Sequence, residues 1–268
     1  MKQRIITGSI FAAALCVVLL LRDYLLIPAM AAASVLCCIE LLNAFNAKNI
    51  RPIRWLCLSY SALVPLGAFF VDATHLLVYE TLLLFVVLTA HLFRKEPSLP
   101  DTAGALCAAG YATIPLSMMV MFLHITPSLR SALVIASAFL FAYFGDMAAY
   151  FTGVFFGKHK MVPVLSPKKT WEGAAGGLVG SMLCGLLLFL AERYSMPGIP
   201  LWPYLLLGLI CGVAEQAGDL TASLIKRFCG VKDYGNLFPG HGGMMDRIDS
   251  VLFTTLILYA YCLLGGLL

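Results

Sequence analysis

The sequence predicts an all-α, polytopic integral membrane protein with about nine transmembrane helices, and three observations carry that expectation. Of 268 residues, 61% are hydrophobic and only 12% are charged, about half the charged share of a soluble domain. The mean hydropathy is +0.91. The apolar residues gather in runs of about twenty, the length a helix needs to cross about 30 Å of hydrocarbon. Short polar breaks separate the runs, so the chain reads as one transmembrane domain. Its first set of helices occupies 1–128; a second set, 129–268, carries the polar loops and the candidate chemistry.

The expected spans run Ile5 to Leu21, Leu25 to Phe45, Trp55 to Val71, Thr74 to Phe93, Ala103 to Leu123, Leu129 to Phe156, Gly173 to Leu190, Leu201 to Leu224 and Ser250 to Leu268. The start, MKQRIITGSIFAAALCVVLLL, has the basic region and apolar core of a signal peptide. No small-x-small cleavage site follows before Arg22, and it is kept as the first span. The nine cysteines lie mostly inside apolar runs and include no CxxC pair, which fits small buried hydrophobes better than a zinc site or a disulfide framework. A net charge of +4 raises nucleic acid as a partner. The basic residues are spread over short loops rather than forming one aromatic-interleaved patch, so no nucleic-acid partner is expected. With a cytoplasmic N-terminus, fifteen of the eighteen Lys and Arg, Lys2 and Arg4 among them, fall on the inside, and only Arg22, Arg130 and Arg193 fall outside. This bias places both polar loops, 157–172 and 225–247, on the cytoplasmic face of the cell's inner membrane.

The first five spans are chemically quiet. Glu40 and Glu80 lie near expected span ends and read as acids solvated at the interface. Pro28, Pro65 and Pro115 either kink their helices or mark boundaries.

The second set differs. In the sixth span Asp146, Tyr150, Gly153 and Gly157 share a helical face. Asp146 lies about 16 Å of helical rise inside the span's end, where a carboxylate needs a wet cavity, a cation or a partner on a neighbouring helix. The following loop gathers Lys158, Lys160, Lys168 and Lys169 and ends in Glu172. Such a cluster suits the phosphates of a nucleotide or of lipid heads, and serves membrane topology equally well. Ser166 to Gly173, SPKKTWEG, reads as a rigid turn with donors before a helix. Gly173, Gly177 and Ser181, with Gly176 and Gly180, form a close-packing face that can also serve a homodimer.

The eighth span carries Glu215, Asp219, Ser223 and Lys226 as a polar stripe lining a funnel. Asp219 is about 10 Å of rise from Lys226, near enough for a phosphate to contact the lysine while a metal bridges to the acid. Glu215 is deeper, either part of this set or a protonated structural group. Then come Arg227, Lys232 and FPGHGG, whose glycines let backbone N–H groups approach a ligand. His241 is either an ordinary loop histidine or a phosphate contact. Asp246 and Asp249 open the last helix, as metal ligands or as caps. Converging carboxylates beside Lys and Arg are what phosphoryl or nucleotidyl transfer requires: oxygen ligands for Mg2+ and cations for the phosphates.

Ser223-x-x-Lys226-Arg227, Lys232-Asp233, Pro239-x-His241-Gly242-Gly243 and Asp246-Arg247-x-Asp249 together resemble the signature of the phosphatidate cytidylyltransferases, or CDP-diacylglycerol synthases. Asp146-x-x-Ala149-Tyr150-x-x-Gly153 and Ser166-Pro167-Lys168-Lys169-Thr170-x-Glu172-Gly173 are similar to further segments of that family. The motifs cover about the last 125 residues; the first half matches only as a run of spans. The resemblance implies CTP and phosphatidate as substrates, CDP-diacylglycerol and pyrophosphate as products, and Mg2+ as cofactor. On that expectation Asp219 and Asp246, with Asp249, hold metal. Lys226, Arg227, Lys232 and Arg247 steady phosphates with Ser223 and His241, and the Lys168–Lys169 segment covers the site. Asp146 and Glu172 are further candidates. The alternatives are a related enzyme with an ether-lipid or polyprenol acceptor, and an ion-coupled transporter using Asp146, Glu215 and Asp219 as its path.

Overall fold

The computed structural model describes residues 2–193 and 198–268, with side chains from residue 8 onward. The side chains of Lys2, Arg4 and Ile5 therefore lie outside the described residues. Nine α-helices form among the described residues: α1 (Lys2–Leu20), α2 (Arg22–Asn46), α3 (Arg54–Ala68), α4 (Ala73–Leu92), α5 (Leu99–Met121), α6 (Ser128–Phe156), α7 (Trp171–Arg193), α8 (Trp202–Cys229) and α9 (Met245–Leu264). Each coincides with one expected span, most ends agreeing within a few residues. Seven are long and apolar enough to cross a membrane. The apolar part of α1, Gly8–Leu20, is shorter. The 15 residues of α3 rise only about 22 Å. This is an all-α membrane protein. Pro28, Pro65 and Pro115 remain inside α2, α3 and α5.

One local expectation is corrected. SPKKT is not a turn but the strand β2 (Ser166–Thr170), antiparallel to β1 (Lys160–Val162), with Lys160 opposite Thr170 and Val162 opposite Ser166. Pro167 lacks an N–H, and a two-stranded hairpin tolerates it because each strand keeps an unpaired edge. The turn itself is closed by Leu165 N–H donating to Val162 O at 3.2 Å.

The chain forms two compact units. The first comprises Met1–His124, Lys226–Ile248 and Leu268. Within it α2, α3 and α5 are tied by a buried hydroxyl chain: Ser34 Oγ donates to Thr113 Oγ1 (2.7 Å), which donates to Ser61 Oγ (3.1 Å). Glu80 is not solvated as expected. It is buried on α4 and accepts a short hydrogen bond from Ser117 of α5, a hydroxyl replacing water as the donor.

The second unit comprises Ile125–Ile225 and Asp249–Leu267. Within it α6 packs closely against α7, and the glycines make that possible. A Cβ at Gly180 would stand 2.5 Å from Ala148 Cβ and 2.9 Å from Phe144 O; one at Gly173 would stand 2.9 Å from Ala149 O. The stripe considered for a homodimer is thus filled by the chain's own α6, and at Gly177 also by Gln216 of α8. Thr254 Oγ1 of α9 donates to Ala138 O of α6 at 2.7 Å. At the far end Glu192 is buried, accepting from Tyr204 OH at 2.6 Å with Arg130 Nη2 3.5 Å away.

Gly180→Val should lower the thermal unfolding midpoint in detergent, by an overpacking cost of about 1–3 kcal/mol. Gly110→Ala, whose Cβ meets only Ile114 Cδ1 at 3.4 Å, should leave it level or higher. Equal midpoints for the two variants would contradict the close α6–α7 approach.

Candidate functional site

Two clusters of charge are built, one in each unit. In the second unit the hairpin, α6, α7 and α8 line a cavity of about 590 Å³ whose polar lining includes Asp146, Lys160, Lys168, Lys169, Thr170 and Gln216. Lys160 reaches it from β1, and Lys168 and Lys169 from β2. Thr170, at the end of β2, accepts the Gly173 N–H with its hydroxyl at 3.1 Å and caps α7. Glu172 takes no part in the cavity lining. Its carboxylate accepts the N–H groups of Lys158 (3.1 Å) and His159 (3.2 Å) and pairs with His159 Nδ1 at 2.6 Å. It fastens the base of the hairpin.

Lys169 Nζ lies 2.5 Å from Asp219 Oδ2, both side chains about a quarter exposed. A pair this wet adds little stability; its effect is to hold the ammonium and the carboxylate at the cavity. Glu215, one turn along α8 from Asp219, is fully buried. Neither of its oxygens meets an N–H or O–H donor, and the neighbouring group is the Asp146 carboxyl. Asp146 is exposed at the cavity and Glu215 is buried behind it, and two carboxyl groups this close share a proton. Gly145 makes the approach possible, since a Cβ there would stand 2.8 Å from Glu215 Oε1 and 2.7 Å from Ser181 Oγ. Gln216 donates from Nε2 to Ala174 O at 3.0 Å, joining α8 to the start of α7. Sequence reasoning missed it because a neutral amide in an apolar helix carries no charge signal. Ser223 is half-buried on α8, and Asp249 is buried, its Oδ1 accepting the Ser250 N–H at 2.8 Å.

In the first unit the stretch 226–248 is organised by two carboxylates. Asp246, its side chain 4% exposed, takes Lys226 Nζ on Oδ1 at 2.8 Å. Its Oδ2 accepts the N–H groups of Tyr234 (2.8 Å) and Gly243 (3.0 Å). Lys226 also lies over the Tyr234 ring, 5.4 Å from its centroid. The second carboxylate is Glu40 of α2, expected at the interface and found buried. Its two oxygens accept Met244 N–H and Met245 N–H, each at 2.8 Å. These are orphan donors at the start of α9, which every helix must satisfy from outside. Glu40, rather than Asp246 or Asp249, supplies that cap. The FPGHGG turn closes through Phe238 N–H to Gly242 O (2.9 Å), with Gly240 and Gly242 at φ +78° and +82°. It leans on α1, where Phe11 meets Phe238 edge-on at 5.4 Å. His241 is half-buried with Nδ1 unpartnered. Arg227 and Lys232 are exposed, and Arg247 is half-buried in the first turn of α9.

Asp219, Ser223 and Asp249 belong to the second unit, and Lys226, Asp246 and Arg247 to the first. Among the described residues, no three His, Cys, Asp or Glu side chains are placed to hold a metal ion by themselves. The chain matches the model of the Cytidylyltransferase family over residues 2–264. It belongs to that family. Three relatives, all named phosphatidate cytidylyltransferase, are similar to it. One from Mycobacterium bovis is 47% identical over 107 residues, 40% of this chain and 34% of the relative. One from Staphylococcus saprophyticus is 38% identical over 170 residues, 63% of this chain and 62% of the relative. One from Staphylococcus aureus strain COL is 40% identical over 171 residues, again 63% and 62%. The matches thus span about a third of the mycobacterial protein's length and about three fifths of the staphylococcal ones'.

Glu40→Ala leaves the half-buried Met244 N–H and the buried Met245 N–H without acceptors, at about 1–3 kcal/mol for the buried one. Hydrogen exchange in a peptide spanning 238–248 should speed up in this variant, while peptides from α6 and α7 exchange as in the native protein. Unchanged exchange at 238–248 would remove Glu40 as the organiser of the loop.

Proposed function

We propose that the protein transfers the cytidylyl group of CTP to phosphatidate, giving CDP-diacylglycerol and pyrophosphate in phospholipid synthesis. The single observation that carries this is the cavity in which Lys160, Lys168 and Lys169 face Asp146, with Asp219 held on Lys169: cations for phosphate beside oxygen ligands for metal, in a chain of which only 12% is charged. Membership of the Cytidylyltransferase family and the name borne by the relatives support it.

A phosphate oxygen of phosphatidate attacks the α-phosphorus of CTP. One P–O bond forms, and the bond from that phosphorus to the bridging oxygen breaks, so pyrophosphate leaves with the electron pair. The attacking oxygen is already anionic, so no strong general base is needed. Catalysis then rests on positioning and on neutralising charge. Lys168 and Lys169 hold phosphate in the cavity of one unit. Lys226 and Arg247, with Ser223, Arg227, Lys232 and His241 nearby in the chain, contact phosphate in our assignment. Asp246 keeps the Lys226 ammonium in place.

The donor chemistry fits Mg2+, which is commonly held by one or two carboxylates together with substrate phosphates rather than by an all-protein cage. Asp146 presents a carboxyl group at the cavity, and Asp219 has a single ammonium on one oxygen. We assign Asp219, with Asp249, as its ligands in the second unit, and keep Asp246 of the first unit as a separate candidate. When bound, Mg2+ supplies charge neutralisation to the nucleotide phosphates. The lysine-bearing loops face the cytoplasm in this proposal, the side from which CTP arrives.

Purified protein given phosphatidate, CTP and Mg2+ should release pyrophosphate, chelation should stop the release, and added Mg2+ should restore it. Asp219→Asn should lower kcat about 10²–10³-fold while the protein still inserts and unfolds at a near-native midpoint; Asp246→Asn should lower kcat as much and also lower the midpoint, since it breaks the buried pair with Lys226. Near-native kcat in either variant would remove that residue from the site. Release with an ether lipid or polyprenyl phosphate but not with phosphatidate would move the acceptor.

A further inference from the structure

The β1–β2 hairpin is a cavity wall on one side and something else on the other. Between Lys158 and Lys160 at its entry and Lys168 and Lys169 at its exit stand five apolar residues, Met161 to Leu165 (MVPVL). Val164, at the tip, is 86% exposed and does not line the cavity. An apolar tip held out on a basic stem is poorly suited to water.

Its level relative to the bilayer follows from its attachments. Only Gly157, Lys158 and His159 separate α6 from β1, and β2 runs directly into α7. The 29 residues of α6 rise about 43 Å, well beyond about 30 Å of hydrocarbon, so this helix needs interfacial space or tilt. Near its end α6 exposes Tyr150, and α7 opens on exposed Trp171. Aromatic side chains of this kind gather at the membrane–water boundary. The hairpin therefore leaves and re-enters the helices at the depth of the lipid headgroups. There the composition is satisfied: apolar tip among acyl chains, lysines at the phosphates. The opposite charge of an anionic lipid surface complements the stem.

We propose that the β1–β2 hairpin is a membrane-surface element. Its tip, Met161 to Leu165, enters the headgroup region of an anionic bilayer, and Lys158, Lys160 and Lys168 gather lipid phosphates at the mouth of the cavity. Because Lys160, Met161 and Lys168 also line that cavity, the hairpin is the lip over which a lipid substrate passes. This last step rests on the proposed reaction; contact of the tip with lipid does not.

Two measurements separate these. In vesicles of phosphatidylethanolamine and phosphatidylglycerol, the emission that Val164→Trp adds over the native protein should be quenched by bromine-bearing acyl chains and shielded from aqueous iodide. Quenching by iodide alone, as expected of a tip facing water or kept for a protein partner, overturns the proposal. In the kinetic measurement, Val164→Asp should raise the KM for vesicle-borne long-chain phosphatidate about tenfold, with kcat unchanged and with no effect on a short-chain phosphatidate dispersed in water. An equal loss with both substrates, or no loss with either, overturns it. If native protein transfers nothing to phosphatidate, the proposed reaction fails, and the quenching result alone decides the hairpin.

Discussion

A carboxylate taken out of water costs several kcal/mol unless donors or a cation replace the water. In a chain this apolar, that cost decides where each acid can go. Asp246 is accommodated by one ammonium and two backbone N–H groups, and Glu40 by two more N–H groups. Those five interactions also fix the path of the chain. Tyr234, Gly243, Met244 and Met245 are held at their backbones by side chains from two different helices, so the turn between them has little freedom. A loop whose backbone is set before substrate arrives keeps Lys226 aimed without reorganisation, which is the form electrostatic catalysis favours. The N-terminal helices thereby gain a role: α2 supplies Glu40, and α1 supports the FPGHGG turn through Phe11.

The second unit resolves the same constraint differently. Asp219 has a lysine, whereas Glu215 and Asp146 have each other's carboxyl groups and no donor at Glu215. Two acids side by side are stable only when something positive lies between them. Glu192, by contrast, is held by the Tyr204 hydroxyl with Arg130 beside it. The Asp146–Glu215 pair sits at the lysine-lined cavity, with Asp146 in its lining, while Glu192 takes no part in that lining.

The helices were legible because long apolar runs are a signal each residue repeats, and α4 or α6 needs no partner to declare itself. The types of residue in the site were equally legible: Lys169, Asp219, Lys226 and Asp246 are conspicuous among apolar neighbours. Their pairing was not. Glu40 looks like an interfacial acid because its partners, Met244 and Met245, are 204 and 205 residues away and offer backbone N–H groups, which no side-chain pattern announces. Glu172 looked like part of the chemistry for the opposite reason, a charge beside lysines, although it serves the backbone of Lys158 and His159. The hairpin was hidden by its size. Three- and five-residue strands with a proline are too short for alternation to show, and only the pairing of Lys160 with Thr170 reveals them.

The identity of the transferred group is the most direct point on which the proposed chemistry stands. With CTP labelled at the α-phosphate, label should move into the organic-soluble lipid fraction in proportion to the pyrophosphate released. With CTP labelled at the γ-phosphate, all label should stay in water. Lipid labelled from the γ-phosphate would show a kinase, and lipid unlabelled from either position would show that no cytidylyl group is transferred.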